Sequence, residues 1–150
     1  MSTSDSDRNA DGDVLAALEY LLLVYASIHT NDRRNTAAGH WINEAFVIRL
    51  NAVLEAHHVL DESKSIDKSL PGARSVDLCR RLRQKFAHAT GAIHDADAEK
   101  LDVAMREHYK LGDQASLFDG KFIMSKDTVL RPMYADCVAY SRAVLEKESR

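Results

Sequence analysis

Between Cys79 and Gly91 the chain places Arg83 five positions before His88, with Arg80, Arg81 and Lys85 alongside. A guanidinium carries a permanent charge and forks onto a phosphate, whereas an imidazole gains or loses a proton near neutral pH. Such a pair supplies what metal-free cleavage of RNA requires. The substrate brings its own nucleophile, the 2′-hydroxyl, and the protein must move protons and hold the charge that builds at phosphorus. In that chemistry His88 exchanges protons, and Arg83 grips the phosphate through charge-assisted hydrogen bonds. Arg80, Arg81 and Lys85 form a local basic patch that could hold substrate, although each of them taken alone reads as a solvated helix face.

Helical spacing limits how the pair can act. At about 100° per residue, Leu78, Leu82, Phe86 and Ala89 make the apolar stripe of a helix over 74–90. Arg81, Gln84, Lys85 and His88 lie on its flank or far side, and Arg83 leaves from the other flank. Arg83 and His88 are then about 140° apart around the axis, so one regular helix cannot clasp a phosphate with both, as an i, i+4 pair would. Two solutions exist. The helix end is distorted, with Thr90 and Gly91 as its cap, or an Arg from one copy faces a His from another across a two-fold axis. A helix C-terminus beside His88 favours the imidazolium, which suits a general acid or a phosphate ligand better than a base.

The surrounding elements read as an all-α bundle of about five helices. Residues 1–12 are rich in Ser and Asp and are expected to form a disordered leader ahead of a helical domain over 13–150. Leu15, Leu18, Leu22, Tyr25 and Ile28 recur at helical spacing and predict a helix over 13–30. Ile42, Phe46, Leu50, Val53 and Leu60 predict a second over 39–60, after a polar loop at 31–35. The segment 62–72 has turn composition and ends in Pro71 and Gly72. A short helix is expected over 95–111, then a small hairpin over 117–124 around Asp119 and Gly120. The last helix spans 130–147, with Pro132 in its first turn, where a missing N–H is tolerated.

Composition narrows the function classes. With 150 residues the chain fits one domain with a real core. A net charge of −3 and a pI near 6.1 argue against electrostatic coating of nucleic acid and require any RNA site to be focused. Cys79 and Cys137 stand far apart without CxxC spacing, so no zinc knuckle or disulfide framework is indicated and a reducing cytoplasm is expected. The hydrophobic run Val14–Ile28 is interrupted by Glu19 and follows an acidic leader, so it reads as a buried helix and not as a signal or membrane span. No metal or other cofactor is expected. Glu55 and His58 form an ExxH that lacks the second copy a di-iron site needs, and His57 reads as a core histidine. His94, Asp95 and Asp97 read as a polar loop, and Arg33 and Arg34, between His29 and His40, as solvated. Glycine-rich phosphate loops, Ser-His-Asp arrangements and HExxH motifs are absent from the sequence.

The segment Arg80–His88 resembles the signature of HEPN domains (higher eukaryotes and prokaryotes nucleotide-binding), in which an Arg precedes a His by a short spacer. Arg83 and His88 match it, Ala87 is the small residue expected before His, and Gln84 stands where Asn is common. The long helices before the motif and the helix after it extend the resemblance over nearly the whole chain. The family is all-α and includes metal-independent ribonucleases, often in toxin and antiviral systems, whose dimers bring two motifs together. The resemblance therefore implies Arg83 and His88 as catalytic residues, Gln84, Arg80, Arg81 and Lys85 as substrate contacts, and RNA as substrate. It also implies a homodimer, 2′,3′-cyclic phosphate ends, and a cognate antitoxin or regulatory protein in a toxin or phage-defence setting. Other members bind nucleic acid or a partner without cutting, which is the alternative for this chain. A bundle that merely assembles with partner proteins is a third.

Overall fold

The computed structural model describes residues 3–28, 37–61, 65–88, 95–112, 116–118 and 120–149, with the backbone alone for residues 3–12 and 88. Five α-helices carry the fold: α1 (Thr3–Ile28), α2 (Ala37–Ala56), α3 (Ala73–His88), α4 (Ala96–Tyr109) and α5 (Arg131–Glu148). A two-stranded antiparallel hairpin, β1 (Leu117–Phe118) and β2 (Lys121–Phe122), lies between α4 and α5, and pairs Leu117 with Phe122 and Phe118 with Lys121. The all-α bundle with a small hairpin is the architecture expected from the periodicities. α1 packs on α2, α2 on α3, α3 on α5 and α5 back on α1, which closes a four-helix ring, while α4 lies outside against α3.

The apolar stripes explain this arrangement. Leu18, Leu50, Leu54, Leu78, Leu82 and Leu130 come from four of the ring's segments and are completely buried. Each such side chain stabilises the fold by about 1.5–3 kcal/mol relative to an exposed one. Polar groups fix the ends. The Tyr25 hydroxyl donates to Asn43 Oδ1 (2.8 Å), and Asn43 Nδ2 donates to the Met124 carbonyl (3.0 Å). Phe86 of α3 meets Phe122 of β2 edge-on at 6.3 Å. The C-terminal part of α1, the N-terminal half of α2, the hairpin and the C-terminal half of α3 thus share one end of the bundle, where α3 stops at His88. At the opposite end the Asp67 amide donates to the Tyr140 hydroxyl (3.1 Å), and Lys147 pairs with Asp67 (2.8 Å).

Element boundaries differ from expectation in two informative places. α1 continues back through the polar leader to Thr3. α2 stops at Ala56, short of residue 60, because His58 turns left-handed (φ 59°). The amides of Val59 and Leu60 then both reach the Leu54 carbonyl (2.9 and 3.1 Å), and their side chains tuck into the core. Pro132 sits in the first turn of α5 as expected, after a π-helical turn over Lys126–Leu130. Among the described residues, no helix is long and apolar enough to cross a membrane.

Candidate functional site

The motif helix is fastened along its N-terminal half. Gly72, with φ +79°, leads the chain into α3 and passes directly against the Asp136 backbone of α5. The Val76 amide donates to the Gly72 carbonyl (3.1 Å), the first bond of the helix. One turn on, the fully buried Ser75 donates to Asp136 Oδ2 and lies 3.1 Å from His108 Nε2 and 2.9 Å from the Tyr109 hydroxyl. Burial pushes the Tyr109 hydroxyl well above its ordinary range, so it remains protonated. A further turn on, Cys79 lies against the Val47 carbonyl of α2 (3.7 Å) and hydrogen-bonds with Cys137 of α5. That hydrogen bond, with complete burial, pushes the Cys137 thiol upward and keeps it protonated. Two cysteines far apart in sequence meet here as free thiols.

Ser75, His108 and Asp136 are the types of a nucleophilic triad, brought together from three helices, and sequence order gave no sign of them. Their geometry is that of a fastening. A triad carboxylate holds the imidazole nitrogen that faces away from the serine. Asp136 instead meets the same Nε2 that meets Ser75, at 3.4 Å, and Ser75 has no exposed surface for a substrate to reach.

The C-terminal half of α3 carries the expected site residues, and their partners differ sharply. Arg80 pairs with Asp77 one turn back (3.3 Å). The mostly covered Lys85 ammonium is held by Asp97 (2.9 Å) and Asp95 (3.1 Å) at the start of α4. Those carboxylates, Asp97 first, push the lysine upward. Asp95 also caps α4, accepting the Ala98 amide at 2.6 Å, and that bond, followed by Lys85, holds its carboxyl below the usual range. Asp97 is lowered by Lys85 and then by the charge of Arg81, so Arg81 lies within the field of the same carboxylates. The polar stretch after the motif, expected to be a simple loop, therefore includes the anionic partner of the basic patch. Gln84 is exposed.

Arg83 differs from Arg80 and Lys85. It is half-buried on the flank of α3 and has no ion pair or hydrogen bond among the described residues. His88 is the last residue of α3, which puts its backbone at the negative end of the helix dipole. Thr90, Gly91, His94, Arg33, Arg34 and His29, together with Ala89, lie outside the described residues. On α2, Glu44 is raised above the usual carboxyl range by burial, against the charges of His40 and Lys121. The ExxH of Glu55 and His58 does not share a helix face, because α2 ends between them and Glu55 accepts from Asn51 Nδ2 (2.8 Å). Among the described residues, no three His, Cys, Asp or Glu side chains are grouped to hold a metal ion. No protein-family model, curated protein or solved structure matches this chain.

Proposed function

We propose that the chain is an endoribonuclease of HEPN type that cleaves RNA without a metal. The carrying observation is the state of Arg83: a half-buried guanidinium with no ion pair or hydrogen bond among the described residues, on a helix where Arg80 and Lys85 are paired and Arg81 lies in the field of Asp97. A partly desolvated, unpaired guanidinium favours an oxyanion ligand, and the phosphodiester is one. The HEPN-like order of Arg83 and His88, and the all-α frame around them, support the same reading. In this mechanism the substrate 2′-hydroxyl attacks phosphorus as its proton passes to the neutral His88 of one protomer, Arg83 stabilises the phosphorane charge, and the protonated His88 of the other protomer gives a proton to the departing 5′-oxygen. The products are a 2′,3′-cyclic phosphate and a free 5′-hydroxyl.

The offset of about 140° between the two residues on one helix makes a composite cleft the natural site, with Arg83 and His88 of both protomers around a two-fold axis. The test is purified protein with mixed RNA in EDTA, wild type beside Arg83→Ala, His88→Ala and Arg81→Ala. Cleavage by wild type is expected to disappear in the first two and to weaken mildly in the third. Loss of one charge-assisted phosphate contact alone costs about 1.5–3 kcal/mol, roughly ten- to a hundred-fold. Equal cleavage in all four samples marks a contaminant. Binding without cleavage by the wild type replaces this reading with a non-catalytic RNA-binding module.

A further inference from the structure

Cys79 and Cys137 stand 58 positions apart in sequence, yet their thiols touch where α3 packs on α5. The meeting is fixed from several sides. One turn before Cys79, Ser75 donates to Asp136, the residue that precedes Cys137. Earlier still, Gly72 passes directly against the Asp136 backbone. The Cys79 thiol rests on the Val47 carbonyl of α2 at 3.7 Å, and the buried Ser141 donates to the Cys137 carbonyl (2.8 Å). Both cysteines are completely buried and both are free thiols. A single buried cysteine packs as a small apolar side chain. Two in contact have a further capacity, because on losing two hydrogens their sulfurs can bond. The chain has two cysteines in all, so the pairing has no competitor.

We infer that Cys79 and Cys137 form a redox site: hydrogen peroxide converts the thiol pair to an intramolecular disulfide that locks the motif helix to α5, and a dithiol reductant releases it. The oxidation proceeds in two halves. The Cys79 sulfur attacks one peroxide oxygen, the O–O bond breaks, and the departing hydroxide leaves as water with the thiol proton, giving a sulfenic acid. The Cys137 sulfur then attacks that sulfur; the S–S bond forms, the S–O bond breaks, and the hydroxyl leaves as a second water with the Cys137 proton. Two thiols lose two electrons and two protons, and the peroxide is reduced to two waters. The order follows from the contact between the sulfurs, in which Cys137 is held protonated while Cys79 reacts. Neither residue reaches solvent, so the oxidant enters through local opening of α3 against α5 and must be small. The ties around the pair keep the sulfurs together, which favours the second half over attack by another peroxide. The resulting bond lies one turn before Arg83 and closes a loop of 58 positions, a span over which a cross-link strongly restrains the unfolded chain.

This site is independent of the ribonuclease reading. The experiment treats the folded full chain with hydrogen peroxide, removes the excess with catalase, and counts thiols by alkylation in denaturant beside non-reducing peptide mapping. Both thiols are expected to disappear together within single chains, with one peptide pair joining Cys79 to Cys137, and to return after dithiothreitol. The melting temperature should rise by about 5–15 °C on oxidation and fall back on reduction. Dithiothreitol does not restore oxidised methionine, so the reversible part of the shift isolates the disulfide. Cys137→Ala should show no reversible rise, and oxidised beside reduced wild type carries the comparison without that variant. Two alkylatable thiols after prolonged treatment that fully oxidises the urea-unfolded chain overturn the proposal. So do sulfinic acid at Cys79, links between chains, or a disulfide that leaves the melting temperature unchanged or lower.

Discussion

Two glycines with left-handed backbones allow the anchoring of α3 to be measured. Gly72 (φ +79°) and Gly112 (φ +60°) both occupy a region that side chains resist, at about 1–2 kcal/mol for an alanine. Only Gly72 is crowded. A Cβ there overlaps the Asp136 carbonyl oxygen and comes within 2.8 Å of its carbonyl carbon, whereas at Gly112 nothing lies within 4 Å. The obstacle at Gly72 is backbone inside α5, which cannot rotate aside as a flexible side chain would. Overpacking of this kind adds about 1–3 kcal/mol. Gly112→Ala should therefore cost about 1–2 kcal/mol and Gly72→Ala about 2–5 kcal/mol. The loss of unfolded-state freedom is the same for both substitutions and cancels in the difference. At roughly 2–4 °C per kcal/mol for a chain of this size, the two melting temperatures should separate by several degrees. Thermal and urea unfolding followed by circular dichroism measure both variants. Equal losses would refute the argument that close passage of Gly72 over α5 fixes the start of the motif helix.

Two further outcomes follow from the charges around α3 and α5. Asp95→Ala removes the cap of α4 and one of the two carboxylates on Lys85 and should lower the urea midpoint; Asp97→Ala removes only an exposed ion pair and should lower it less, so an equal or larger loss for Asp97→Ala would remove the cap as the main contribution. Acid should weaken the protein at Asp67, whose carboxyl is held down to about 2 by its hydrogen bonds from Lys147 and then Ser69. A lowered folded-state value contributes stability that is complete above the unfolded value, near 3.8, and is lost as pH falls toward about 2. Urea midpoints measured between these limits should fall less steeply in Asp67→Asn than in wild type, and an identical slope would remove Asp67 as a source of acid sensitivity.

The helices were legible because their apolar residues recur at helical spacing over long stretches. Met133, Cys137 and Tyr140 were read as inward and are buried, and the hairpin was marked by the pair Asp119 and Gly120 between apolar neighbours. The end of α2 was not legible: Leu60 continues the stripe in register, and only the left-handed turn at His58 shows that it enters the core from a loop. The candidate site was legible as a list of residues on one helix. Their pairing was not, because it depends on contacts between elements. Nothing near Lys85 in sequence says that Asp95 and Asp97 fold back onto it, and nothing links Ser75 to His108 and Asp136, which come from two later helices.

These long-range contacts divide α3 into two halves with different tasks. From Gly72 to Cys79 the helix is tied to α5, α4 and α2 by a backbone contact, a buried hydroxyl and a pair of thiols. From Arg80 onward, Arg80 and Lys85 are paired with carboxylates and Arg81 lies in the field of Asp97, while Arg83 has no ion pair or hydrogen bond among the described residues. Acidic residues around a basic site lower its attraction for polyanions in general, which fits a chain with a net charge of −3. What remains is selective: a permanent charge on a rigid helix, one turn beyond its last tie to α5, where substrate cannot shift it without moving the bundle. In the proposed ribonuclease the phosphate is therefore brought to the arginine, and one regular helix leaves position 88 about 140° away around the axis. That rigidity is the physical argument for a second α3 in the site.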